Sequence, residues 1–206
     1  MNRIGPTRVA IVSFDGFNEL DSFITLGLLN RLRAKGLSAE LCGPGHAISS
    51  MHGVTVSLQR PLEWANEAEV VLFGSGLYTR AIAENSALLD RLQLDPVRQL
   101  IGAQNSGVLL LARLGLLGER PACTDLVSKP FVQEAGVRVL DEESFHAQGP
   151  IATAGGCLAA QYLATWVMLK RAGEAATTEA LHEVAPVGEK TRYAEGLLAR
   201  VRPFLG

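Results

Sequence analysis

The sequence predicts an α/β protein built on a mainly parallel sheet flanked by helices. Three features carry that expectation. Apolar runs at residues 8–14, 69–73 and 99–104 are short and nearly continuous, as strands buried on both faces are. Segments with apolar residues at helical spacing alternate with them, in the order β, α, β, β, α, β, α. Turns rich in Gly, Ser, Asn and Asp follow the strands, where a parallel sheet passes into its helices. Together these define a single-domain, flavodoxin-like arrangement.

The first run is bounded by Pro6 and Asp15-Gly16 and reads as a central strand. Leu20, Phe23, Ile24, Leu28 and Leu32 then share one helical face, which predicts a helix over residues 19–35 ended by Gly36. Residues 37–42 read as a second strand, stopped by Gly43-Pro44-Gly45. A small hairpin with its turn at Gly53 is expected between Ile48 and Val56, at the sheet edge. The strand at 69–73 runs into Gly74-Ser75-Gly76, and polar, helical sequence covers 79–94. The strand at 99–104 meets Asn105-Ser106-Gly107 and an apolar helix closed by residues 115–118, giving a strand–elbow–helix at residues 104–107. After a loop at 120–125, residues 137–140, 144–146 and 151–153 read as three short strands. A long helix over 157–171, a hinge at 173–178, a further helix and a terminal helix over 189–201 complete the reading. No repeat or composition shift divides the chain, so one domain over residues 1–206 is expected, with a core at 8–171 and a helical extension at 174–206.

At 206 residues and 22.0 kDa the chain is long enough for a full core. Its 48% hydrophobic and 19% charged residues mark it as globular rather than disordered. A formal charge of -2 with a pI near 6.1 gives no electrostatic reason to expect a nucleic acid or an anionic membrane as partner. The start of the chain lacks the apolar stretch of an export signal, and no run is long enough to span a membrane, so a cytoplasmic location is expected. Cys42, Cys123 and Cys157 are widely separated and odd in number, which suits reduced thiols.

Parallel α/β sheets bind ligands at the carboxyl ends of their strands. Four polar loops fall there, at residues 15–21, 74–76, 104–107 and 154–156. Glycine lets a ligand approach the backbone, and helix N-termini offer free N–H groups to an anion or a polarised oxygen. Any one loop is explained by the needs of a βα turn; the four together predict a small polar pocket for a small-molecule ligand. Asp21 reads either as a surface acid favouring the helix dipole or as a partly buried carboxyl with a raised pKa. Asn105 sits where an elbow demands a positive φ, which Asn tolerates better than almost any residue but Gly. An amide there is no nucleophile. Ser106 reads as a cap for the following helix, with no histidine placed by motif to activate it. His46, His52, His146 and His182 lack metal-ligand spacing, and no phosphate-loop or dinucleotide fingerprint occurs, so neither a metal nor a cofactor is expected.

Residues 14–21, 105–118, 120–124 and 151–156 resemble the ThiJ/PfpI superfamily of the class I glutamine amidotransferase-like fold. Within it they resemble the isonitrile hydratase branch and the amidase-like domains fused to AraC-type regulators. The likeness spans residues 9–170, and the segment after the elbow, Asn105-Ser-Gly-Val-Leu-Leu-Leu-Ala-Arg113, is its most specific part. The resemblance implies that Asp21 is the acid that hydrogen-bonds the nucleophile. It implies that Gly74, Ser75 and Gly76 form the oxyanion loop, that Ser106 offers a backbone N–H beside the elbow, and that Gly107 and Gly155 border the same pocket. It also implies a homodimer. The family's nucleophile, a Cys before Ser-Gly, falls on Asn105, a frequent histidine falls on Asp125, and a Gly-Pro after the helix acid is absent around residues 23–25.

A thiolate at the elbow attacks an isonitrile or carbonyl carbon while an acid and water handle the protons; an amide forms no such adduct. The chain is therefore read as a ThiJ/PfpI-like protein that keeps the pocket and lacks elbow-cysteine chemistry. Three forms of that reading stay open. One is a non-catalytic member that senses a small molecule or mediates an interaction. Another is an isonitrile hydratase-like lyase whose elbow cysteine has been replaced. The third works by acid–base chemistry through Asp21 and bound water. Cys123 and Cys157 are weak candidates for a displaced thiol.

Overall fold

Strand β1 (Thr7–Val12) lies in the interior of a seven-stranded sheet, in a computed structural model that describes residues 6–206. Residues 1–5, the beginning of the expected domain range, lie outside the described residues. After β1 come α1 (Glu19–Leu29), β2 (Leu37–Gly43), β3 (Ala47–Ser49), β4 (Thr55–Ser57) and the short β5 (Arg60–Pro61). Then come β6 (Val70–Phe73), α2 (Thr79–Glu84), α3 (Ser86–Leu89), β7 (Leu100–Gln104) and α4 (Val108–Arg113). The chain ends with α5 (Lys129–Glu134), β8 (Phe145–Gln148), β9 (Ile151–Ala154), α6 (Ala160–Val184) and α7 (Lys190–Val201).

The strand order is β5-β2-β1-β6-β7-β9-β8, parallel throughout except where β8 pairs with β9. From β2 to β9 this is the 2-1-3-4-5 order of flavodoxin-like sheets. The mainly parallel α/β fold expected from the sequence is the fold observed. Alternation explains why the strands read as continuous apolar runs. Val9 and Ile11 face one core with Leu29 and Trp166, while Ala10 and Val12 face the other with Leu110 and Leu111. Residues 174–206 are no appendage: Ala180, Leu181, Leu197, Leu198 and Val201 are buried in the first of these cores.

Several elements differ from expectation. The α-helix expected over 19–35 stops at Leu29 and continues as a 3-10 helix, Asn30–Lys35, before Gly36 at φ 97. Asn30 explains the change, because its side chain bonds both the N–H and the carbonyl of Ala39 at 3.0 Å and draws the turn onto β2. β3 and β4 form the expected hairpin, but as a separate two-stranded sheet rather than an edge of the main one. The helical stretch at 79–94 is divided at Asn85, whose side chain caps α3. Residues 137–140 are not a strand. Their pairing is a single bridge from Val139 to Ala122, because β8 already occupies the edge beside β9. The expected hinge at 173–178 is helical except at Gly173 (φ 79); Ala175 and Ala176 favour helix, and the Thr177 hydroxyl donates back to the Gly173 carbonyl.

Candidate functional site

The strand order reverses between β1 and β6, which is where such a sheet opens its ligand crevice. Here the two loops are stitched together. The Asn18 N–H donates to the Ser75 carbonyl at 2.8 Å, the Leu77 N–H donates to the Gly16 carbonyl at 2.9 Å, and Phe17 pairs with Gly76. A Cβ on Gly76 would lie 2.7 Å from the Gly16 carbonyl oxygen, so the close approach needs glycine. What remains between Ser13, Asp15, Gly74 and Ser75 is a cavity of about 10 Å³, room for roughly one water.

The elbow lies one strand further along. β7 ends at Gln104 in extended geometry, Asn105 turns at φ 50, and residues 105–107 form a 3-10 turn into α4. Asn105 is the one non-glycine residue at positive φ among the described residues. It is 3% exposed. Its side chain is fully engaged: Nδ2 donates to both carboxylate oxygens of Asp21 at 3.2 Å, and Oδ1 accepts the Gly156 N–H at 2.6 Å. The Thr124 hydroxyl donates to the Asn105 carbonyl at 2.8 Å. One amide thus joins the start of α1, the elbow and the loop after β9. The small polar pocket expected at this point is filled by that side chain.

Asp21 is 2% exposed, so the surface-acid reading of the sequence does not hold. Burial pushes its carboxyl up to about 6, and the nearby charge of Asp125 pushes the same way. Hydrogen bonds from Ser75 and Asn105 oppose the rise.

The remaining expected site residues hold the elbow together. The Ser75 N–H donates to Asp21 at 3.0 Å and the Gly76 N–H to the Ser106 hydroxyl at 3.3 Å, so these donors of the expected oxyanion loop are already used. Gly74 borders Ser22, whose Oγ would be 3.2 Å from an added Cβ. Ser106 does not cap α4; its hydroxyl turns to Thr79 Oγ1 at 3.0 Å. Gly107 lets the elbow press on β6, for its Cβ would meet the Gly74 and Phe73 carbonyl oxygens at 2.6 and 2.9 Å. Gly155 does the same against Thr124. Asp125 is not drawn into the cluster by hydrogen bonding: it accepts from the Val127 and Ser128 N–H groups at 2.9 Å and shapes the turn before α5.

Four contributors were missed or underweighted. Gln104 donates to the carbonyls of Gly156 and Cys157 at 3.0 and 2.8 Å; a polar residue closing an apolar strand was the available signal. Asn18 caps α1 and its Nδ2 donates to Cys157 Sγ at 3.2 Å. Thr124 supports the elbow carbonyl. Cys157 is half-buried, with Sγ 3.9 Å from Asn105 Nδ2. Cys42 and Cys123 are buried, and burial pushes each thiol up to about 12. Among the described residues no three His, Cys, Asp or Glu side chains group as a metal site, and no helix is long and apolar enough to cross a membrane.

No protein-family model matches the chain, and no curated protein matches its sequence. Solved structures do resemble it. A ThiJ/PfpI family protein from Pseudomonas syringae superposes with a TM-score of 0.77 at 15% identity, over 98% of this chain and 90% of its own. DJ-1beta from Drosophila melanogaster gives 0.75 at 20% identity, over 88% and 98%. Schizosaccharomyces pombe DJ-1 gives 0.73 at 13% identity, over 87% and 100%. The class defined is therefore the α/β fold of DJ-1 and ThiJ/PfpI proteins.

Proposed function

We propose that the chain is a ThiJ/PfpI-like protein without elbow-cysteine catalysis, in which Asn105 is a structural cross-link and the loops around it form a binding face. The saturated Asn105 carboxamide carries this reading. All its hydrogen-bonding groups are spent on Asp21 and Gly156, and neither Asn105 nor Asp21 reaches solvent. Support for a binding face comes from Leu20, Leu77, Tyr78, Leu126 and Leu158. Leu20 is in the first turn of α1, Leu77 and Tyr78 lie between β6 and α2, and Leu126 lies between α4 and α5. Leu158 lies in the turn between β9 and α6, and all five are exposed apolar side chains. A small-molecule ligand and a homodimer are proposed with it. In assays on the purified chain, isonitriles, amides and aldehydes are expected to remain unconverted, and light scattering is expected to give twice the chain mass.

Cys157 favours a second reading, an isonitrile hydratase-like lyase with its thiol on the neighbouring loop. Its half-buried Sγ lies beside Asn18, Asn105 and, through Asn105, the carboxyl of Asp21. The thiol would add across the isonitrile carbon to give a thioimidate, and water would release the N-formamide and the free thiol. Isonitrile turnover that Cys157→Ser abolishes establishes this second reading and sinks the first. Turnover gained only by Asn105→Cys supports the first.

A further inference from the structure

We infer that the groove between α2, α4 and α5 is a binding site for a small zwitterion of the amino-acid type. Its cavity measures about 420 Å³, within the usual range of small-molecule sites. Ala83 and Leu109 form a buried apolar floor, with half-buried Ala135 and Phe131 beside them. Four exposed charged side chains surround that floor: Arg80, Glu84, Arg113 and Glu134.

Two features distinguish this rim. Many surface charges pair, as Arg60 does with Glu40, Arg91 with Glu63 and Arg202 with Glu174, and unpaired ones such as Glu119 or Lys190 line no comparable apolar floor with charges of both signs. Among the described residues, none of the four rim side chains is in an ion pair or a side-chain hydrogen bond. That holds although Arg80 and Glu84 stand four apart on α2, in the less favourable basic-first order. The second feature is the position of Arg80, whose guanidinium carbon lies 4.0 Å from the centre of the Phe131 ring. Stacking holds the guanidinium by its face and leaves its N–H edge free, the edge whose fork matches a carboxylate. A donor fixed in advance loses less freedom on binding.

The charges select the ligand. Two guanidiniums and two carboxylates leave no net charge, so a phosphate would be repelled by the glutamates and a simple amine by the arginines. A molecule with a carboxylate and an ammonium on one carbon satisfies both, with the carboxylate on Arg80, supported by Arg113, and the ammonium on Glu84 or Glu134. Its side chain would lie on the Ala83–Leu109 floor. The groove shares α4 with the elbow, through Leu109 and Arg113, but none of its lining residues belongs to the Asp21–Asn105–Gly156 cluster, so it does not depend on the chemistry of residue 105.

Calorimetric titration and backbone amide chemical shifts on the full chain test this with glycine, L-alanine, L-leucine and L-phenylalanine. N-acetyl-L-leucine, L-leucinamide, acetate and phosphate serve as controls. At least one free amino acid is expected to bind saturably with Kd near or below about 1 mM. Its shifts should map to α2, α4 and α5. Each control lacking one of the two charges is expected to bind at least about tenfold more weakly. Arg80→Ala is expected to lose about tenfold, and Phe131→Leu, which keeps the charge and removes the stack, a few-fold. Arg80 is exposed, so Arg80→Ala leaves the fold in place, and Phe131→Leu keeps an apolar side chain at a half-buried position; Arg113→Ala, also at an exposed residue, is expected to weaken binding as well. Saturation by no amino acid, equal binding of the acetylated or amidated forms, equal binding of phosphate, or an unchanged Arg80→Ala variant would each overturn the assignment.

Discussion

Replacing Asn105 with alanine tests whether the elbow is a structural cross-link. The substitution removes the donor to Asp21, a hydrogen bond to a charged group worth about 1.5–3 kcal/mol. It leaves the Gly156 N–H without its acceptor; Gly156 is exposed, so water replaces the lost partner and the cost is about 0.5–1 kcal/mol. It also holds an alanine at φ 50, which costs about 1–2 kcal/mol. The combined loss is about 3–6 kcal/mol. For a chain of this size that lowers Tm by roughly 6–24 °C. Asn105→Gly removes the same hydrogen bonds without the left-handed penalty, although glycine gains freedom in the unfolded chain. It should therefore be more stable than the alanine variant by about 0.5–1 kcal/mol. Urea denaturation of the three proteins measures both differences. An alanine variant within about 0.5 kcal/mol of the parent refutes the cross-link, and an alanine variant as stable as the glycine one refutes the backbone part of the argument.

Three further outcomes follow from the same geometry. Asp21 titrates near 6 in the fold against 3.8 for the free side chain, so the folded state holds this proton more tightly. Its contribution to stability is complete below about pH 3.8 and is lost as pH rises through about 6, amounting to about 3 kcal/mol; the difference in pH-dependent stability between the parent and Asp21→Asn should display that slope. Native protein treated with iodoacetamide at pH 8 should be labelled at Cys157, while Cys42 and Cys123, buried and with thiols pushed up to about 12, should react only on unfolding; fast labelling of either buried thiol contradicts the burial argument. Gly107→Ala brings a Cβ within 2.6 and 2.9 Å of two backbone oxygens, and its net cost should exceed about 2 kcal/mol by thermal melting despite the better helix propensity of alanine.

The sheet was legible because its strands are buried on both faces, which leaves continuous apolar runs such as Val9–Val12 and Val70–Phe73 with little else to become. Elements decided by partners were not legible. Residues 137–140 have the composition of a strand, but β8 holds the edge they would need. The early end of α1 depends on Asn30 finding Ala39, which no helical periodicity encodes. Gly173 looked like the start of a hinge because glycine marks breaks, yet the break is confined to one residue. Local preference sets what a segment can be, and pairing across the fold sets what it is.

The elbow divides the same way. A positive φ at residue 105 is local, and the sequence states it through Asn. The partners of the Asn105 side chain are not local: Asp21 stands 84 residues away and Gly156 stands 51 away. Those contacts bear on any attempt to install catalysis. A thiol at this position has one weak donor and is a poor acceptor, so it cannot serve two carboxylate oxygens and the Gly156 N–H together. The carboxamide does serve all three. An Asn105→Cys protein should therefore be less stable than its parent, with the Asp21 carboxyl pushed still higher by the loss of a donor. Reactivity gained at residue 105 and stability lost there would have one origin, because the cross-link and the nucleophile need the same few cubic ångströms. A cysteine variant that is both reactive and as stable as the parent would mean that the loops after β1 and β9 are held by something other than Asn105.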